Sequence, residues 1–311
     1  MLLIFFITKL LGVDSDRRAD YVLMPLPLNA VSFKQVSVAK MHSQKGSGKQ
    51  YHILCGEGDL DPILLVPGDP DRIQKIASSW DSAKEVAVNR EFRSVKGVYH
   101  GLKISALSTG IGPACMAIVV NEASGIGVKD FIRVGSTGSL QAEVACGDVV
   151  ISSSAVRLDG ASNSYVLPEY PAAANYEVIL ALIEAAERLD ICNYHVGITA
   201  TTADFYAGQS RLARRGAILG EKNLVPALQN AGVLNVEMET ATLFTLASVF
   251  GCRAGAVHAV YNSHVTGEFK PHAGEENAIK IANEAALVLS DWDARKRERG
   301  KRHVFPGLVS G

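Results

Sequence analysis

The chain has no CxxC pair and no cluster of cysteine with histidine. Its cysteines, Cys55, Cys115, Cys146, Cys192 and Cys252, are odd in number and scattered. That argues against a disulfide framework and a zinc site, and points to a reduced, cytoplasmic chain. No apolar run reaches the roughly 18 residues that a membrane helix needs. Met1 to Val13 is apolar apart from Lys9, yet no basic residue precedes the run and no clear small-residue cleavage site follows. It reads as an extension rather than a secretory leader. An excess of one charge is also missing: 31 basic residues face 32 acidic ones, a net of −1. A nucleic-acid binder would show a basic stripe. With 20% charged and 48% hydrophobic residues, a wholly disordered chain is excluded. Two nucleotide motifs are absent as well. There is no GxxxxGK followed by Ser or Thr, and Gly110-x-Gly112 lacks a third glycine at the right offset.

What charge there is lies unevenly. Residues 1–50 hold seven basic and three acidic residues, and 291–311 hold six and three. An acidic body therefore sits between two basic arms. Such a body binds an anion only with a few placed arginines and backbone amides. The first arm has weak periodicity and a small, polar second half, which reads as tail and linker.

From residue 51 onward, short apolar runs alternate with helical patterns. Strands are expected at 63–66, 102–107, 131–134, 148–156, 195–199 and 254–261. Helices are expected at 114–124, 176–189, 223–230, 240–250 and 275–292. A further helix should follow Asp69, which suits its cap, with Pro70 in its first turn. This alternation predicts an α/β fold with a central sheet covered on both faces. The segment from 294 on reads as a frayed basic tail.

In open α/β sheets, ligands bind at the carboxyl ends of strands. Glycine-rich turns are expected at three such ends: 66–72 (VPGDPDR), 108–113 (STGIGP) and 133–139 (RVGSTGS). Each alone is compatible with a tight turn. Together, with Arg72, Arg90 and Arg133 nearby, they suit an oxyanion such as phosphate. A second cluster is 235–242 (NVEMETAT), whose two carboxylates precede a helix. Such a carboxylate either complements the helix dipole or accepts hydrogen bonds from a vicinal diol, as in ribose. A third is 203–211 (ADFYAGQSR): Phe205 can stack on a flat base, and Gln209 and Arg211 can reach its amide edge.

With these strings in place, residues 51 to 290 resemble the nucleoside phosphorylase-I family, most closely its uridine-cleaving branch. The matching strings are VPGDPDR (66–72), NREF (89–92), STGIGP (108–113), RVGSTG (133–138), AVRLDGAS (155–162), FYAGQSR (205–211) and VEMETAT (236–242). The resemblance implies a single-domain three-layer sandwich, with a central mixed β-sheet flanked by helices. It divides the chain into an extension at 1–50, a catalytic domain at 51–292 and a basic tail at 293–311. It implies reversible phosphorolysis of uridine to uracil and ribose 1-phosphate, a pentosyl transfer in which phosphate attacks C1′. No organic cofactor and no catalytic metal is implied; inorganic phosphate is a co-substrate, and a structural cation near Glu91 at a subunit interface is an option.

By position, phosphate falls to Gly68, Arg72, Arg133 and Ser136, with Arg90 supplied by a neighbouring subunit. The family's usual residue at 136 is threonine, and serine keeps the hydroxyl. Ribose falls to Glu239 and Met238, with Glu237 beside them, and to His52 reaching the partner subunit's nucleoside. The base falls to Phe205, Gln209 and Arg211. Arg133, Arg211 and Glu239 carry the catalytic load. The sugar gains oxocarbenium character, which phosphate stabilises, while Arg211 stabilises charge on the leaving uracil. The implied assembly is a homodimer or a trimer of dimers, with no nucleic acid and no membrane.

One departure bears on substrate. At 262–264 the chain reads Asn-Ser-His. Bacterial uridine enzymes typically have arginine at the position of Ser263, and purine enzymes aspartate. The missing aspartate counts against purine cleavage, and Gln209 with Arg211 favours uridine. A purine phosphorylase, a nucleosidase using water, and a silent nucleoside-binding protein stay open as alternatives. The arginines argue against the nucleosidase.

Overall fold

The computed structural model describes residues 48–211 and 223–309. The expected extension lies outside the described residues apart from 48–50. Gln50 already belongs to the fold: it is buried, and its N–H donates to the Cys55 carbonyl at 2.9 Å.

The frame is one mixed sheet. Its strands are β1 (Ile63–Pro67), β2 (Ser82–Asn89), β3 (Phe92–Tyr99), β4 (Leu102–Leu107), β5 (Asp130–Ser139), β6 (Val149–Leu158), β7 (Ala172–Ala173), β8 (Tyr194–Thr202), β9 (Asn235–Glu237) and β10 (Arg253–Ser263). They run in the order β10-β6-β8-β9-β5-β1-β4-β3-β2, and β10 also pairs with β5. That last pairing closes β5, β9, β8, β6 and β10 into a ring, from which β1, β4, β3 and β2 extend as an open wing. β1 is parallel to β4 and β5, and β10 to β5; β10 with β6, β5 with β9, and the wing hairpin are antiparallel.

Helices cover both faces. On one lie α1 (Arg72–Ala77), α3 (Tyr176–Arg188) and α6 (Glu275–Glu298); on the other lie α2 (Pro113–Gly125) and α5 (Thr240–Val249). A strand buried on both faces reads as a continuous apolar run, and β1 (ILLVP) is buried at every position. The Asn175 side chain caps α3 by accepting the Glu177 N–H at 3.0 Å. The short helix α4 (Leu224–Asn230) borders a smaller core with Leu140 and Val236.

The expected strands and helices are present, with three differences. The segment 133–139 is not a turn: it continues β5, paired with β10. Its glycines serve close approach instead, since a Cβ on Gly135 would lie 2.5 Å from the His258 ring. The cap of α1 is Asp71, and Asp69 acts one step earlier by accepting the Asp71 N–H at 2.9 Å. The segment after 292 is not frayed. α6 runs to Glu298, and α7 (Pro306–Val309) returns the chain so that Val304 and Leu308 enter the core. The Val304 N–H donates to Glu177 at 3.0 Å, which ties this return to α3. The hairpin β2–β3 gave no signal in sequence because β2 is a mostly exposed edge strand without clean alternation.

Candidate active site

Strand ends and loops from both halves of the sheet meet at a cleft of about 750 Å³. The loop after β1 brings Gly68, the start of α1 brings Arg72, β5 brings Arg133 and Ser136, and β9 with its following residues brings Glu237, Met238 and Glu239. The segment after β8 adds Phe205 and Gln209, and β10 adds Tyr261 and Asn262.

Arg133 is buried at the cleft. It is 3% exposed. Its Nε donates to Glu237 Oε2 at 3.0 Å, and its Nη2 donates to Glu239 Oε2. Its Nη1 is buried and has no partner among the described residues. A buried guanidinium nitrogen left unpaired is costly, so Nη1 marks a position suited to an anionic acceptor.

Glu237 is fully engaged. Oε1 accepts from Thr201 Oγ1 at 2.6 Å and from the Thr240 N–H at 3.0 Å; Oε2 accepts from the Glu239 N–H at 2.8 Å as well as from Arg133. Its oxygens hold Arg133 and the start of α5. Burial alone would raise its pKa, but Arg133 and these donors hold it below the usual carboxylate range. Glu239 differs. Burial, with Glu237 as a like-charged neighbour, raises its pKa despite Arg133. Its Oε1 accepts the Gly112 N–H. Beneath them lies His258, whose Nε2 is 3.1 Å from Thr240 Oγ1 and whose Nδ1 is 3.3 Å from Ser152 Oγ. Burial pushes its pKa down to about 3, so this imidazole is neutral.

Arg72 is buried at the same cleft. It donates from Nε to Glu275 Oε2 at 3.0 Å, from Nη1 to the Val134 carbonyl at 3.0 Å and from Nη2 to Tyr261 Oη at 3.2 Å. Glu275 also accepts from Lys75 and Tyr261. Burial opposes ionisation of Glu275, but these donors outweigh it and bring its pKa to about 2. Sequence reasoning missed Glu275 and Tyr261. Each lies nearly 200 residues or more from Arg72, and neither belongs to a motif.

At the other end, Phe205 is half-exposed and Gln209 is 3% exposed, with Nε2 3.4 Å from Thr202 Oγ1. Arg211 stands behind them. Its guanidinium carbon lies 4.4 Å over the Phe205 ring, and Nη2 donates to Asn262 Oδ1 at 3.2 Å. Ser263 does not face the cleft. It is buried, and its Oγ accepts the N–H groups of Val265 and Thr266, both at 3.2 Å, closing a turn.

Three expected residues do not line this cleft: Arg211, which stands behind Phe205, and Arg90 and His52. Arg90 is exposed at the tip of the β2–β3 hairpin. His52 lines a separate groove beside Tyr165 and Phe250, with Nδ1 2.6 Å from Glu122 Oε1. Glu91, at the cleft edge, has the Cys115 thiol as its donor at 3.4 Å. Among the described residues no three His, Cys, Asp or Glu groups gather as a metal site.

Comparison with known proteins bears on this cleft. A family model described as "Phosphorylase superfamily" matches residues 62–291. A uridine phosphorylase of Thermococcus kodakarensis is 49% identical over 272 residues, which is 87% of this chain and 98% of that protein. A uridine phosphorylase of Escherichia coli is 38% identical over 77% of this chain and 97% of its own. A guanosine phosphorylase of Halorubrum lacusprofundi is 38% identical over 78% of this chain and 99% of its own. With the matched span running from β1 into α6 and enclosing nearly every wall of the cleft, the chain belongs to the phosphorylase superfamily.

Proposed function

We propose that this protein is a uridine phosphorylase, a pentosyltransferase that converts uridine and phosphate reversibly to uracil and ribose 1-phosphate. The observation that carries the reading is Arg133 Nη1. It is a buried guanidinium nitrogen without a hydrogen-bond partner among the described residues, in a cleft that also holds Arg72, two carboxylates and the Phe205–Gln209 segment. Phosphate takes Arg133, Arg72, Ser136 and the backbone at Gly68. Glu239 and Met238 hold the ribose. A phosphate oxygen forms a bond to C1′ as the bond from C1′ to N1 breaks, and the electron pair leaves with uracil. Gln209 and Arg211 stabilise that charge, and Phe205 covers the ring. Positioning and electrostatics supply the catalysis, so the reaction calls for no protein nucleophile, organic cofactor or catalytic metal.

Arg90 and His52 stand outside their own cleft, which supports a dimer in which each chain completes its partner's site, alone or as part of a trimer of dimers. The odd, unpaired set of thiols supports a cytoplasmic setting. Among the described residues no helix is long and apolar enough to cross a membrane.

The test is to incubate the protein with uridine, with and without phosphate, and follow uracil. Phosphate-dependent release supports the proposal. Release without phosphate makes it a nucleosidase, and binding without release a nucleoside-binding protein. Guanosine belongs in the same assay, because one relative of comparable identity carries that name.

A further inference from the structure

We infer that Asn262 is a specificity-determining residue: its side-chain amino group donates to the base carbonyl at the position where cytosine and adenine carry an amino group. The inference rests on the nucleoside reading of the cleft given above.

In a regular strand, neighbouring residues point to opposite faces. Here the pairing of β10 with β5 slips between Val260 and Asn262, opposite Thr137 and Gly138, leaving Tyr261 as the extra residue. Such a bulge re-aims side chains. As a result Tyr261 and Asn262 both line the cleft, one toward the Arg72 end and the other toward Phe205 and Gln209. The Asn262 amide is seated over Gly138, where a Cβ would lie 2.7 Å from Nδ2 and 2.9 Å from Oδ1. Only glycine leaves that seat open.

The direction of the amide follows from Arg211. A guanidinium only donates, so the atom 3.2 Å from Arg211 Nη2 must be the amide oxygen. Nη2 also lies 3.5 Å from His264 Nε2. Burial, reinforced by Arg211, pushes the His264 pKa down to about 4, so that nitrogen is a lone-pair acceptor and the proton sits on Nδ1. Two acceptors thus fix Nη2, and Nη2 fixes Oδ1. The Asn262 amino group is left as a donor, and among the described residues it has no protein acceptor. A donor held in this way donates to a carbonyl and opposes an amino group, which can only present its own hydrogens.

The experiment compares wild type with Asn262→Asp, which keeps shape and removes the donor, and with Asn262→Ala. Measured are kcat/KM for uridine and cytidine at saturating phosphate, the phosphate KM, and calorimetric binding of uracil and cytosine to the full chain. Wild type should prefer uridine and uracil by at least about tenfold, the worth of one well-placed hydrogen bond. In Asn262→Asp that preference should vanish or reverse while the phosphate KM stays put. Asn262→Ala should treat the two bases nearly alike. Either variant keeping the wild-type preference overturns the inference, as does a wild type that binds both bases equally. A wild type that prefers uracil but cleaves no nucleoside leaves the inference standing and removes the phosphorylase reading instead.

Discussion

Single side chains at the cleft are set by partners far away in sequence. Arg133 is held by Glu237 and Glu239 on two of its three nitrogens, and the third is buried without a partner among the described residues. Arg133→Ala would strand two buried carboxylates and cost about 3–5 kcal/mol of stability, so it confounds folding with function. Arg133→Lys keeps the charge but not the fork. It should raise the phosphate KM by about 100-fold, on the scale of one lost charge-assisted contact in a dry site. Phosphate-saturation kinetics decide, and an unchanged KM removes Arg133 from the site. Glu275 gives a pH prediction. Its folded pKa, about 2, lies below the ordinary 4.5. Its contribution is therefore complete above about 4.5 and lost as pH falls toward 2. Urea unfolding at pH 5 and pH 3 should show a stability loss in wild type that is smaller in Glu275→Gln; equal losses would show that Glu275 is not responsible.

Among the elements, the C-terminal return is the one whose weight is easiest to measure. Leu308 in α7 is fully buried against the same core as α3 and α6. Leu308→Ala should cost about 3 kcal/mol, within the usual range for a buried leucine. A change under about 0.5 kcal/mol in denaturant unfolding, the range of surface substitutions, would mean that this return does not stay docked in solution. The same segment shows why charge misleads at this scale. The basic run 295–302 reads as a solvated tail, yet Lys296 bonds Glu177 at 2.6 Å and Asp293 at 2.8 Å. Its partners sit on α3 and one turn back on α6, and no local pattern announces that. In β5 the glycines of 133–138 suggested a loop, whereas the neighbours that need their missing side chains, His258 and Asn262, arrive from β10.

On the scale of the whole molecule, the proposed sharing of sites between subunits has a consequence in mixtures. Arg90→Ala damages the partner's cleft, whereas Arg133→Lys damages its own. In a refolded mixture of the two variants, hybrids carry one site with both defects and one with neither. Activity should recover well above that of either variant alone. A mixture no more active than the average of its parents would show that each chain works by itself.

Much was legible without coordinates. β1 and β10 are apolar runs with one structural solution, because only a strand covered on both faces buries them fully. Gly68, Arg72, Arg133, Glu239, Phe205 and Gln209 were readable as site candidates because each lies within a short string whose residue types match one chemistry. What the chain order cannot state is who faces whom. The ring closure of β10 onto β5, the capture of Arg72 by Glu275, the saturation of Glu237 and the amide of Asn262 pinned by Arg211 are all contacts between distant segments. A sequence carries local preference and periodicity directly, whereas these contacts form only when folding brings the segments together. Tertiary structure therefore decided which charged groups hold the cleft in shape and which stay free to meet a ligand.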